Sequence, residues 1–183
     1  MKRESLPEND TLVLRGTLTE KEFVKYGYYH FKKLHMILFY FLLFFTFLVF
    51  AVPTTKAVEA DLYIYFYLLY AIISLVVSLP ALLLGKFAVK VKASSEYKSD
   101  QLIKNEMTYT FNANEIQQKF DRSIGYYDWN QIQAAYESKD MFRLYVSRAK
   151  AIILPKRFFS SEVEIQLLKS LIKENLSKEK VKF

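Results

Sequence analysis

Two uncharged runs restrict this chain more than any other feature of its sequence. Met36 to Val52 (MILFYFLLFFTFLVFAV) holds 17 residues and Leu62 to Leu84 holds 23, with no Asp, Glu, Lys or Arg in either. As helices they extend about 26 Å, the short end of a bilayer crossing, and about 35 Å, enough to cross with tilt. A soluble domain of this size has too little interior to enclose two helices that are apolar on every side. The expectation is therefore a pair of membrane-crossing helices. Pro53 to Asp61, a nine-residue link carrying Lys56, Glu59 and Asp61, makes that pair an antiparallel hairpin. The first run begins beyond residue 30 and lacks a small-residue cleavage site, so it is not expected to be a cleaved leader.

Charge gives the hairpin a direction. Lys21, Lys25, Lys32 and Lys33 precede the first run, and Lys86, Lys90, Lys92 and Lys98 follow the second; the link holds Lys56 alone. The positive-inside bias puts both termini in the cytoplasm, with Tyr63, Tyr65 and Tyr67 near the outer interface. Ser74, Ser78 and Ala81 form a small-residue stripe that seats either the first helix or the helix of a second copy. Pro80 is placed to kink the second helix.

The mean hydropathy of +0.04 averages this segment with flanks rich in Lys, Glu, Asn and Gln. In the N-terminal flank, Thr11 to Leu18 reads as a short strand, and Thr19 with Glu22 as a capping box opening a helix that continues into the membrane. After the second run, Lys86 to about Asn105 lacks Pro and Gly and extends the helix. The period then changes to two. Met107, Tyr109 and Phe111 alternate with threonines, and Ile116, Gln118 and Phe120 follow a turn at Asn112 to Asn114. After a turn at Asp121 to Ser123 come short strands at Tyr126–Tyr127, Ile132 to Tyr136, Phe142 to Val146 and Ala149 to Leu154. Turns at Lys139–Asp140 and Ser147–Arg148 separate the last three. Pro155 ends the last of these. Ser161 and Glu164 form a second capping box, opening a helix with Ile165, Leu168, Ile172 and Leu176 on one face.

The expected fold class is thus an α+β membrane protein. A two-helix transmembrane hairpin carries a small antiparallel sheet or barrel, pleckstrin-homology-like in plan and closed by a C-terminal helix. The sheet domain covers about Met107 to Leu176, which is short for that plan, so the N-terminal strand is the segment available to complete it. The divisions are residues 1–35, an N-terminal cytoplasmic strand and helix; 36–84, the hairpin (36–52 and 62–84); and 85–183, the helix extension and sheet domain.

Several motifs match a known family. Tyr126-Tyr127-Asp128-Trp129 stands before a strand, Phe142-Arg143-Leu144-Tyr145 within one, and Ala151-Ile152-Ile153-Leu154-Pro155-Lys156-Arg157-Phe158-Phe159 before the last helix. In these residues, and in the order of its parts, the chain resembles the YcxB-like family of bacterial membrane proteins, which pair a two-helix membrane segment with a C-terminal PH-like domain. The resemblance implies that architecture and a bacterial cell membrane. It implies no activity and identifies no site.

The residues themselves give little purchase to catalysis. The sequence has no cysteine, two histidines and four glycines. His30 and His35 are five apart, about 140° around a helix, and cannot share a metal-ligand face. No glycine-rich phosphate loop or nucleophile elbow is present. Glu59 and Asp61 read as a solvated loop rather than a cation site. No enzyme, cofactor or metal is expected.

Three residues stand out for binding. Trp129 is either a core aromatic or an exposed anchor. Lys156 and Arg157 either meet anionic headgroups or form a solvated turn. The net charge of +7 suits an anionic membrane. Arg122, Arg143, Arg148 and Lys150 are dispersed among acids without a stacking motif, so nucleic acid is not an expected partner. The leading function is recognition of a protein partner at the inner membrane face. The alternatives are an immunity or regulatory role against a membrane-active toxin or membrane partner, and sensing of anionic lipid. Against the last, the Asn112-Ala113-Asn114 turn carries no basic residue.

Overall fold

The computed structural model describes residues 11–121 and 123–183; Arg122 and the first ten residues of the N-terminal segment lie outside them. The described chain forms two compact units. One is Phe23–Ser99; the other joins Asp100–Phe183 to the N-terminal segment as far as Glu22.

The helical unit contains most of α1 (Glu20–Ala57) and all of α2 (Tyr63–Ser99). Both are long and apolar enough to cross a membrane, and their most apolar windows are only 6% and 11% buried. Where they meet, the residues are small or hydroxylated: Ala51, Thr54, Ser74 and Ser78 are all buried. Gly27 admits close approach, since a Cβ there would stand 3.0 Å from Val89 and 3.5 Å from Ala93. Thr54 and Tyr70 share a hydrogen bond of 2.8 Å. Ser74 and Ser78 of the expected stripe thus face inward, as small-residue packing requires, whereas Ala81 is exposed.

Two helix boundaries differ from the sequence expectation. α1 continues through Pro53 to Ala57, leaving only Val58 and Glu59 before a short 3-10 turn at Ala60–Leu62. Threonine hydroxyls line this last turn, Thr54 donating to the Phe50 carbonyl and Thr55 to that of Val52. α2 stops at Ser99, short of Asn105, because the Asp100 carboxylate accepts the Leu102 N–H at 2.8 Å and caps a new short helix, α3 (Gln101–Lys104).

The second unit is built from two four-stranded sheets. The first has the order β1-β2-β3-β4, all antiparallel: β1 (Leu12–Gly16), β2 (Met107–Phe111), β3 (Glu115–Phe120) and β4 (Ser123–Asp128). Leu12 pairs with Phe111 and Gly16 with Met107, although residues 17–106 lie between the strands. The N-terminal strand does complete the sheet. The helical hairpin is therefore an insertion in the β1–β2 connection. Asn112 makes the β2–β3 turn by accepting the N–H groups of Asn114 and Glu115 at 2.8 Å. Asp121, at φ 48°, starts the β3–β4 turn in a left-handed conformation that aspartate tolerates.

The second sheet has the order β7-β6-β5-β8, with β5 (Ala134–Glu137), β6 (Met141–Tyr145), β7 (Ala151–Pro155) and β8 (Val181–Lys182). The expected closed barrel is not formed. Trp129–Gln131 makes a 3-10 turn, locked by reciprocal capping between Asp128 and Gln131, and this turn lifts the chain out of the first ladder. The meander is also not wholly antiparallel, because β8 joins β5 in parallel. α4 (Glu162–Asn175) buries Leu168, Leu171 and Ile172, each contributing about 1.5–3 kcal/mol of apolar burial, and Leu176 is buried just beyond its end. Ile165, expected on the same face, is half-buried. The core continues through Leu12, Leu14, Phe111, Ile116, Phe142 and Leu154. A Cβ on Gly16 would fall within the Phe158 ring, so only glycine lets that ring cover the end of β1.

Candidate interaction surface

Lys156, Arg157 and Phe158 form a 3-10 turn immediately after β7. The two cations point to different partners. Lys156 Nζ meets Glu137 at 2.6 Å, and Lys169 from α4 reaches the other oxygen of the same carboxylate at 2.7 Å. Arg157 forks onto Glu22, through Nε at 2.7 Å and Nη2 at 2.8 Å, and Nη2 also donates to the Thr17 carbonyl. Glu22 is at the same time the far member of the capping box, accepting the Thr19 N–H at 2.9 Å and the Thr19 hydroxyl at 2.8 Å.

These partners set the local electrostatics. Burial opposes ionisation of Glu22, but hydrogen bonds from Arg157 and Thr19 outweigh it and hold the carboxyl below the usual range. Burial likewise opposes the Glu137 charge, and Lys156 and Lys169 together overcome it. The same fork raises the Arg157 guanidinium above its ordinary value.

Trp129 is placed elsewhere. It is 4% exposed, packs against Phe111 and donates from Nε1 to the Asn112 carbonyl at 2.9 Å. It thereby pins the β2–β3 turn to the turn after β4. The histidines make ring contacts: His30 against Phe31 and Tyr26, and His35 against Phe31 and over Gly85. Among the described residues, no three His, Asp or Glu side chains converge as metal ligands would.

One open surface is on the first sheet. Among the described residues β4 is its edge, pairing with β3 alone, and Ile124 and Tyr126 are 46% and 57% exposed. Tyr126 lies in one cross-strand row with Gln117, Thr110 and Val13, the last 49% exposed. Edge strands are commonly guarded by lysine, proline or extreme shortness. β7 ends in Pro155 and β8 has two residues; β4, Ser-Ile-Gly-Tyr-Tyr-Asp, has no Lys or Pro of its own, while Lys119 of β3 pairs opposite Ile124 and Lys150 Nζ lies 5.7 Å from the centroid of the Tyr127 ring. The Tyr126–Tyr127 pair was legible as a strand, but only the sheet order shows that it is an edge.

Residues 111–172, from the end of β2 to within α4, match the family model described as YcxB-like protein. A curated Bacillus subtilis (strain 168) protein, "Uncharacterized protein YcxB", is 36% identical over 96 residues, 51% of this chain and 50% of the relative. The chain thus spans about half the length of that relative. No solved structure matches.

Proposed function

We propose, for a chain that is YcxB-like over residues 111–172, a non-enzymatic membrane protein whose soluble unit recognises a protein segment at the inner face of a bacterial cell membrane. α1 and α2 cross as a hairpin with both termini cytoplasmic. In favour of this topology, the lysines flank the hairpin four and four against one in its turn. The pairing of β1 with β2, one on each side of the hairpin in sequence, is in keeping with open ends on one side of the membrane. The soluble unit is PH-like in plan: seven strands in two sheets precede a helix that packs on the core, and β8 follows it.

The observation that carries the recognition reading is the open β4 edge. An extended peptide adds to such an edge through main-chain hydrogen bonds, and Ile124 and Tyr126 supply side-chain contacts that select it. A protein segment fits this edge better than a lipid headgroup does, because the open ladder offers main-chain N–H and C=O groups that another strand can pair.

A photo-reactive amino acid at Tyr126, irradiated in native membranes, is expected to trap one recurrent protein species. The same probe at Val163, 76% exposed on α4, is not. Ile124→Lys should abolish the adduct by guarding the edge. Diffuse labelling at Tyr126, or an adduct indifferent to Ile124→Lys, would sink the proposal.

A further inference from the structure

The contacts between α1 and α2 fix how their residues align along the hairpin. His35 lies over Gly85, Gly27 faces Val89 and Ala93, and Phe23 packs with Tyr97. In this antiparallel register residues 32 and 33 stand level with residues 86–88. Lys32 and Lys33 of α1 and Lys86 and Lys90 of α2, all exposed, therefore form one belt. Along α2 the belt extends about 6 Å, at 1.5 Å per residue. One headgroup layer is roughly 5–7 Å thick.

Two further observations identify what the belt meets. No Asp or Glu occurs from Phe23 to Val58 or from Leu62 to Ser95, so no carboxylate stands at this level of either helix. The apolar surface does not stop at the first lysine. Leu83, Leu84, Phe87 and Val91 are 68%, 67%, 65% and 52% exposed, so Lys86 and Lys90 rise from a lipid-like surface with Phe87 between them. Side chains so placed bury their stems and extend their ammonium groups to phosphate depth.

We propose that Lys32, Lys33, Lys86 and Lys90, with Phe87 and Val91 beneath them, form a binding belt for anionic phospholipid. The ammonium groups engage the headgroup phosphates, and the apolar pair packs against the upper acyl chains. The belt rests on the reading that α1 and α2 cross the membrane. It is independent of the β4 edge.

The full chain would be reconstituted in phosphatidylcholine vesicles with trace spin-labelled phosphatidylglycerol or spin-labelled phosphatidylcholine. The fraction of immobilised label would then be measured. Phosphatidylglycerol should be preferred, and each lysine removed should cost up to about fivefold in relative association. Lys86→Gln/Lys90→Gln and Lys32→Gln/Lys33→Gln should each weaken the preference, the arginine versions should keep it, and Lys56→Gln should leave it unchanged. Equal immobilisation of the two lipids by the unaltered chain would overturn the proposal, as would full preference in both glutamine pairs.

Cysteines at Ala57 and Ser177, in a chain that has none, separate this failure from that of the crossing itself. Labelling of one position and not the other by an impermeant reagent keeps the hairpin transmembrane and confines a negative lipid result to the belt. Labelling of both in sealed vesicles of uniform orientation removes the crossing, and the belt with it.

Discussion

Arg157 and Glu22, 135 residues apart in sequence, meet through two side-by-side hydrogen bonds of 2.7 and 2.8 Å. The fork joins the turn after β7 to the first turn of α1, where Glu22 already closes a capping box on Thr19. Planar, bidentate pairing of this kind is specific to arginine, and lysine does not reproduce it.

Glu22→Gln and Arg157→Gln should each lower the melting temperature of the detergent-solubilised chain, and the double variant should lose less than their sum. The Arg157 side chain is 50% exposed. The coupling therefore belongs with solvent-screened pairs, at about 0.5–1 kcal/mol, and not with buried ones. Strict additivity in thermal unfolding would show that the fork couples nothing.

Acid should weaken the fold through the same carboxylates. Glu22 and Glu137 have folded pKa values below their ordinary ones because cationic donors hold them. A group depressed on folding contributes stability above its unfolded pKa, about 4.3 for Glu. That contribution is lost as pH falls through the lower, folded value. The unaltered chain should melt above Glu22→Gln/Glu137→Gln at pH 7, and the gap should narrow as pH drops below about 4.3. A gap that stays constant down to pH 2 would contradict the assignment.

A fragment limited to residues 100–183 should fold poorly, because it leaves out β1. Leu12 and Leu14 are 3% and 1% exposed, and without them Phe111 and Ile116 lose their cover. Gly16 and Met107 are direct cross-strand partners, with Cα atoms about 5 Å apart, so a hairpin-length linker spans them. Joining residues 11–16 to 107–183 through such a linker should restore a cooperative transition that the shorter fragment lacks. Equal melting of the two fragments, by circular dichroism, would argue that β1 is dispensable.

The features legible in the sequence were those written in consecutive residues. The uncharged runs gave α1 and α2, the Asn112 and Ser161 patterns gave a turn and a cap, and the alternation around Tyr109 gave a strand. The strand at Thr11–Leu18 was also visible, and the shortness of the sheet domain indicated where it was needed; the register that pairs Leu12 with Phe111 is not a local property. Glu22 read as a capping residue, but nothing near it announced Arg157. Lys156 read as either a headgroup contact or a solvated turn because Glu137, which holds it, comes from another element. Pro53 misled in the opposite direction, since α1 passes it and runs on to Ala57.

The placement of the hairpin inside the β1–β2 connection also has a consequence for how the chain is made. β1 leaves the ribosome first, and the strand that satisfies its backbone follows only after residues 17–106. At roughly 5–20 residues per second, that interval is on the order of 5–20 s. Throughout it, Leu12 and Leu14 have no sheet to enter, and on the proposed crossing the intervening apolar segments pass into the bilayer in that interval. Under that proposal translation order makes membrane insertion a step that precedes closure of the two-sheet unit. A defect in hairpin insertion would first appear as an unpaired N-terminal strand open to proteases and to other strand edges.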